Sequence, residues 1–257
     1  MKKPKNDVLL AIDVGNTVIS LGLFDGDKLI VCKIPSKTRN FGPSIKVFLE
    51  CGSKGSRIKT AVSSVVPGIN RSLGSAVKKV TGSAPYFIKA QDAGVPILLR
   101  HPEETGTDRV LNAVAAHKIY KKGAIVVDAG SATTLDVVSP KGEYLGGTIA
   151  PGIEISSQAL WNRCAKLRPV SLSVPGKALG RDTHDAMRSG IVLGHVFMVE
   201  GLVSRLKREI GFKPVVIGTG GMIKMISKAS RIFDFVDENL TLKGIKLTTE
   251  ARRHREK

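Results

Sequence analysis

Residues 8–30, VLLAIDVGNTVISLGLFDGDKLI, decide how the chain is read. An apolar run is broken by Asp13, Gly15, Asn16 and Thr17, resumes, and ends in the turn Asp25-Gly26-Asp27. Short β-branched runs bounded by Gly and Asp predict strands. Taken alone, DVGNT serves equally as the bend of a hairpin, since Gly and Asn are good turn residues, or as a phosphate loop, since backbone N–H groups in such turns form anion-binding nests. The plan returns at residues 124–145, AIVVDAGSATTLDVVSPKGEYL, where Asp128 matches Asp13 and Gly130 matches Gly15. The repeat predicts two related halves, 1–118 and 119–257, each opening on a β-meander, and it favours phosphate contact over a plain bend. Asp13 is then suited to Mg²⁺, which takes one or two carboxylates together with phosphate oxygens and water.

Working outward, further strand-like runs (KLIVCKI, IKTAVSSVV, APYFIKA, GEYLGGTIA, PVVIGTGG) alternate with helix-like ones (SIKVFLECG, INRSLGSAVKKVTG, GTDRVLNAVAAHKIYKKG, GIEISSQALWNRCAKL, GGMIKMISKAS). The mixture predicts an α/β architecture. Residues 182–210 form the longest helical pattern, with Met187, Ile191, Met198, Leu202 and Leu206 at helical spacing, Asp182 and Thr183 at its start, and Gly211 as its expected C-cap.

The quartet Gly106-Thr107-Asp108-Arg109 sits where a turn becomes a helix. Asp108 there is either an ordinary N-cap beside a solvated Arg or a carboxylate placed to accept a proton from a substrate hydroxyl, with Arg109 offering a fork for carboxylate or phosphate. The turn Gly218–Gly221 allows close backbone approach to a ligand. No GxxxxGK[ST] occurs, which excludes a P-loop, and no GxGxxG opens a helix. His117, His184 and His195 show no metal-ligand spacing, no GxSxG or Cys–His pairing points to hydrolysis, and Trp161 reads as core or interface.

The chain is strongly basic, with 40 Lys+Arg against 22 Asp+Glu and a net charge of +18. Such a field attracts anions, but it is spread along the sequence and concentrates only at KKPK (2–5) and ARRHREK (251–257). Aromatic residues are 5% and do not interleave with the basic ones, so the expectation is no nucleic-acid partner. The basic leader precedes an apolar run of only residues 8–12, too short for a signal peptide, and no run approaches the ~20 residues of a membrane helix. Three isolated cysteines (32, 51, 164) suit a reducing compartment. A cytoplasmic protein with frayed first residues and no membrane contact is expected.

In order and spacing, DVGNT, SSVVPGIN, HPEETGTDRVLNAVAA, VVDAGSATTLDVV, YLGGTIAPGI, LGRDTHDAMRSGI, GTGG and LTLKGI resemble the type III pantothenate kinases, from Leu9 to about Ile245. The resemblance implies an actin/hexokinase/Hsp70-like ATPase fold: two ribonuclease-H-like domains with an ATP cleft between them. It implies a homodimer that uses ATP with Mg²⁺ to phosphorylate pantothenate to 4'-phosphopantothenate, the first step of coenzyme A synthesis. Carried over by position, the nucleotide-phosphate loop falls on Asp13, Val14, Gly15, Asn16, Thr17, Val18, Ile19 and Ser20, and the second ATP contact on Ser131, where the family usually has Thr. Asp108 takes the place of the proton acceptor within the substrate-binding quartet Gly106–Arg109, and Thr183 that of a pantothenate contact supplied across the dimer interface. Asp128 takes the place of the ligand to a monovalent cation, K⁺ or NH₄⁺. Leu99 stands where the family carries a substrate-contacting tyrosine, nine residues before Asp108. That departure leaves a kinase of another small hydroxy acid as the rival enzyme, and a non-catalytic, nucleic-acid-binding regulator of the same fold as the rival of a different class.

Overall fold

The structure, a computed structural model, describes residues 7–53 and 56–255. The KKPK leader, the expected frayed start and the last two residues of ARRHREK lie outside the described residues.

Packing gathers the chain into two compact units: one runs through Val95 and adds His101–Ala115 and the stretch from Thr241; the other holds Pro96–Arg100 and Ala116–Leu240. This departs from the expected division at 118/119. In the first unit the C-terminal helix α7 (Leu240–Arg255) returns to the N-terminal sheet, with Leu242 against Gly22 and Gly244 so close to the backbone of Leu111 that a Cβ would not fit. In the second, Pro96–Arg100 is tied to the later half, because Leu98 N donates to Tyr144 O and Tyr144 N to Pro96 O, both at 2.8 Å.

The first unit is built on a sheet ordered β3-β2-β1-β4-β5. β1 (Asp7–Val14), β2 (Val18–Asp25) and β3 (Lys28–Pro35) form the expected meander; β4 (Arg57–Ser64) and β5 (Tyr86–Phe87) run parallel to β1. Strand alternation sends Leu10, Ile12 and Val14 of β1 to one face, where they pack with Ile45 and Phe48 of α1 (Gly42–Gly52) and Leu73 and Val77 of α2 (Pro67–Thr81). Each such fully buried aliphatic side chain contributes about 1.5–3 kcal/mol. α2 starts on Pro67 and stops at Gly82, whose φ of +79° suits glycine and whose N–H satisfies Lys78 O. The opposite face of β1 carries Leu9, Ala11 and Asp13. α3 (Thr107–Tyr120) begins in this unit.

The second unit repeats the order as β8-β7-β6-β9-β10: β6 (Ala124–Ala129), β7 (Ala132–Val138) and β8 (Tyr144–Pro151) form the meander, and β9 (Val215–Thr219) and β10 (Phe235–Val236) complete the parallel side. The internal repeat of the sequence is therefore a repeat of sheet topology. α4 (Ile153–Arg163), α5 (Thr183–Glu209) and α6 (Ile223–Ala229) complete this unit. α5 is long and apolar enough to cross a membrane, yet its Val199 and Val203 pack on Ile125, Val127, Leu135 and Val137 of the sheet, as a core helix does. Asp182 caps α5 by accepting from Asp185 N at 2.7 Å, as its sequence predicts, while the C-cap is Ile210 rather than Gly211.

Candidate active site

Asp13 is the penultimate residue of β1, where the strand ends and the backbone must turn. Gly15 N donates to Val18 O at 3.0 Å, closing a turn that leaves Asn16, Thr17 and Val18 exposed and their neighbour Ser20 half-buried. In the second unit Gly130 N closes on Ala132 O at 3.0 Å, so this hairpin is one residue tighter, with Ser131 at its tip. The turns differ in length, but the carboxylates sit alike. Asp13 is flanked across the sheet by Ser20 on β2 and Ser63 on β4; Asp128 is flanked by Thr134 on β7 and Thr219 on β9. Paired residues on neighbouring strands face the same way, so each unit carries a hydroxyl–carboxylate–hydroxyl row at the end of its central strand. The flanking partners on β4 and β9, Ser63 and Thr219, are functional candidates that sequence reasoning missed.

In the first unit Val65 lies between this turn and the start of α3. Val65 N donates to Val14 O at 3.1 Å, and Val65 Cγ1 lies 3.8 Å from where a Cβ on Gly106 would be. The Asp13 turn and the Gly106–Arg109 quartet thus flank Val65. Asp108 is the second residue of α3, and its Oδ1 accepts from Arg109 N at 2.9 Å. The residue keeps partial exposure, but burial of its carboxyl raises the pKa above that of an ordinary aspartate, against the opposing pull of the Arg109 amide and guanidinium. A raised, recessed carboxylate at a helix start has the properties of a general base. Behind it, Thr241 of α7 donates to the buried Asn112 of α3 at 2.8 Å, tying the helix that presents Asp108.

In the second unit, Asp128 stands against Gly220, whose φ is +93°; a Cβ there would strike Asp128 Oδ1 and lie 2.6 Å from Ala129 O. The carboxylate and carbonyl at this turn, with Thr219 beside Asp128 on the next strand, are hard oxygen donors of the kind that alkali cations take, and Ala129 O also accepts from Met222 N at 3.0 Å. Thr183 opens α5 and is exposed. Leu99 lies over Gly146, its Cδ2 3.1 Å from the place of a Cβ there. Asp182, His184 and Asp185 bring ligand-type atoms within 4.8 Å of one another. Asp182 serves there as helix cap and Asp185 pairs with Arg188 at 3.0 Å.

A family model described as type III pantothenate kinase matches residues 9–205. A type III pantothenate kinase of Syntrophus aciditrophicus is 41% identical over 248 residues, covering 93% of this chain and 98% of the relative. One from Myxococcus xanthus is 40% identical over 248 residues, covering 93% and 97%. Among solved structures, a candidate Baf family transcriptional activator from Campylobacter jejuni superposes with a TM-score of 0.59 at 21% identity, covering 95% of this chain and 99% of that one. A candidate 2-dehydro-3-deoxygalactonokinase from Sinorhizobium meliloti gives 0.57 at 11%, covering 95% and 96%. At such identities these two speak for the fold alone.

Proposed function

The chain belongs to the type III pantothenate kinase family, and from that membership we propose how its residues divide the work of an ATP-dependent kinase that phosphorylates pantothenate on the way to coenzyme A. Phosphoryl transfer needs positioning and charge neutralisation more than covalent chemistry. Asp13, with the turn Val14–Ser20, holds the phosphates of ATP and their divalent metal. Ser131 supplies the second nucleotide contact from the tip of the other hairpin. Asp108 orients the acceptor hydroxyl of pantothenate and takes its proton, and Arg109 pairs with the substrate carboxylate. Gly106 and Thr107 shape the same substrate seat.

The observation that carries this reading is Asp108: a recessed carboxylate with a raised pKa, at a helix start that shares Val65 with the Asp13 turn. Asp128 with Ala129 O and Thr219 would hold the monovalent cation, which when bound offsets phosphate charge. Leu99 presents an apolar wall where a tyrosine is usual, so pantothenate binding rests more heavily on Arg109 and Thr183.

A homodimer in the cytoplasm is the proposed state. It is supported by one face of α5: Gly190, Gly194, Phe197 and Gly201 are all exposed, with nothing within 4 Å of a Cβ on any of these glycines. Beside them lies an apolar pocket of about 420 Å³ lined by Leu160, Met187, Ile191 and Met198. Thr183 begins the same helix one turn before Met187.

The test is ADP release with and without pantothenate, first in potassium and then in sodium, followed by a panel of small hydroxy acids. Pantothenate-dependent release that is faster in potassium is expected. Equal rates in the two salts would remove the cation from the reading, and preference for another hydroxy acid would reassign the acceptor.

A further inference from the structure

Ser63 is fully buried, and its hydroxyl has no hydrogen-bond partner among the described residues. A buried hydroxyl left unpaired is costly, and native proteins keep few of them. Other unpaired hydroxyls occur in the first unit, but their settings differ. Thr60 sits three residues earlier on β4, facing the apolar core side with Ile58 and Val62; Thr248 lies in α7; Thr105 is in the turn before α3, next to Gly106. Ser63 differs from all three in being paired in register with a site carboxylate: it is the parallel-ladder partner of Asp13, on the same face and at the same end of the sheet. The second sheet repeats the placement with Thr219 beside Asp128. A hydroxyl on this strand next to the terminal Asp is thus a feature of both units, while their turns differ in length.

We infer that Ser63 is a further nucleotide-binding residue, whose hydroxyl donates to the phosphate oxygens, or to the metal-bound water, of the Mg·ATP held at Asp13. The inference rests on the reading of Asp13 given above. A hydroxyl suits the place: it donates to an anion without adding charge beside Asp13, and on a central strand it is already fixed before the ligand arrives. The desolvation cost seen without ligand is recovered when the phosphate supplies the missing acceptor.

The test is Ser63→Ala, with Mg·ATP binding measured by calorimetry and by ligand-induced thermal shift. The expected result is Mg·ATP affinity weaker by roughly tenfold to a hundredfold, the range of one hydrogen bond to a charged group. The ligand-free melting temperature should not fall, because alanine removes the unpaired group, and the KM for pantothenate should stay within about twofold. A merely structural serine would behave in the opposite way: lower ligand-free stability with unchanged Mg·ATP affinity, which overturns the inference. If Ser63→Ala does not fold, Ser63→Cys keeps the shape with a weaker donor and is read by the same two outcomes. Asp13→Asn serves as the parallel arm. Mg·ATP binding that survives Asp13→Asn refutes the parent reading, whereas loss in Asp13→Asn with none in the Ser63 variants refutes only the role of Ser63.

Discussion

A Cβ atom on Gly106 would lie 2.6 Å from Oδ1 of Asp108. The carboxylate assigned as proton acceptor is therefore seated against the one residue type that leaves it room. Gly106→Ala should displace the carboxylate while sparing the fold, since the clashing atom belongs to a side chain that can rotate. Misplacement on the scale of an ångström costs up to about 10²-fold in rate. We expect a kcat lower by roughly tenfold to a hundredfold with a melting temperature close to the parent's. Steady-state kinetics and calorimetry check both, and unchanged kcat would dissociate Asp108 from the chemistry.

Asp108→Asn separates function from stability. Loss of a general base lowers turnover by about 10²–10⁴-fold, and near-native turnover would refute the assignment. Burial raises the pKa of Asp108 in the folded protein, so the native state holds this proton more readily than the unfolded chain does. The associated stability is present at low pH and is lost as pH rises through the raised native value. Above the ordinary aspartate range, folding of the parent thus carries a desolvation cost for this carboxyl that asparagine lacks. The variant should melt higher at neutral pH, and the gap should close below the ordinary aspartate range. The parent's kcat/KM should also fall on the acid side at a pH above that range.

How far the site was legible before its geometry was known depends on the distance over which each signal acts. The Asp13 and Asp128 turns, the start of α3 at Thr107 and the Asp182 cap are local chemistry, written in adjacent residues. Ser63 was visible in SSVVPGIN but had no role there, because only the parallel pairing of β1 with β4 sets it beside a residue fifty positions away. α7 was missed for another reason: charged residues dilute its apolar positions Leu240, Leu242 and Ile245, which are nonetheless fully or almost fully buried. Part of the basic stretch ARRHREK belongs to this helix, with the Arg252 guanidinium 3.9 Å over the Tyr86 ring. The strap at Leu98 and Leu99 likewise takes its place from Tyr144, across a long sequence separation.

His195 on α5 gives the second unit its own pH signature. Its Nε2 lies 3.0 Å from Thr133 Oγ1 on β7, and burial lowers its pKa. The neutral ring is favoured in the folded state, so its stability contribution is present above the ordinary imidazole value of about 6.5 and is lost as pH falls towards the lower native value. His195→Gln keeps a polar partner for Thr133 without that titration. Its stability curve should be flatter than the parent's below about pH 6.5, measured by denaturant unfolding at several pH values. Parallel curves would show that the ring does not titrate with folding.

Phe197 is 59% exposed, in line with Gly190, Gly194 and Gly201 on α5. Singly exposed apolar residues are ordinary, but a row of open glycines interrupted by one aromatic ring, beside an apolar pocket, is what a second helix can approach closely. In a two-fold interface the same helix face meets itself, so one substitution acts twice. Phe197→Asp should therefore place two carboxylates in one contact and shift the protein from dimer to monomer, read by light scattering across a concentration series. Because Thr183 heads the same helix and is assigned to pantothenate across that interface, the monomer should lose pantothenate saturation while still binding Mg·ATP. A variant that stays dimeric moves the interface elsewhere. A monomer with unchanged pantothenate KM would show that Thr183 acts within its own chain or not at all.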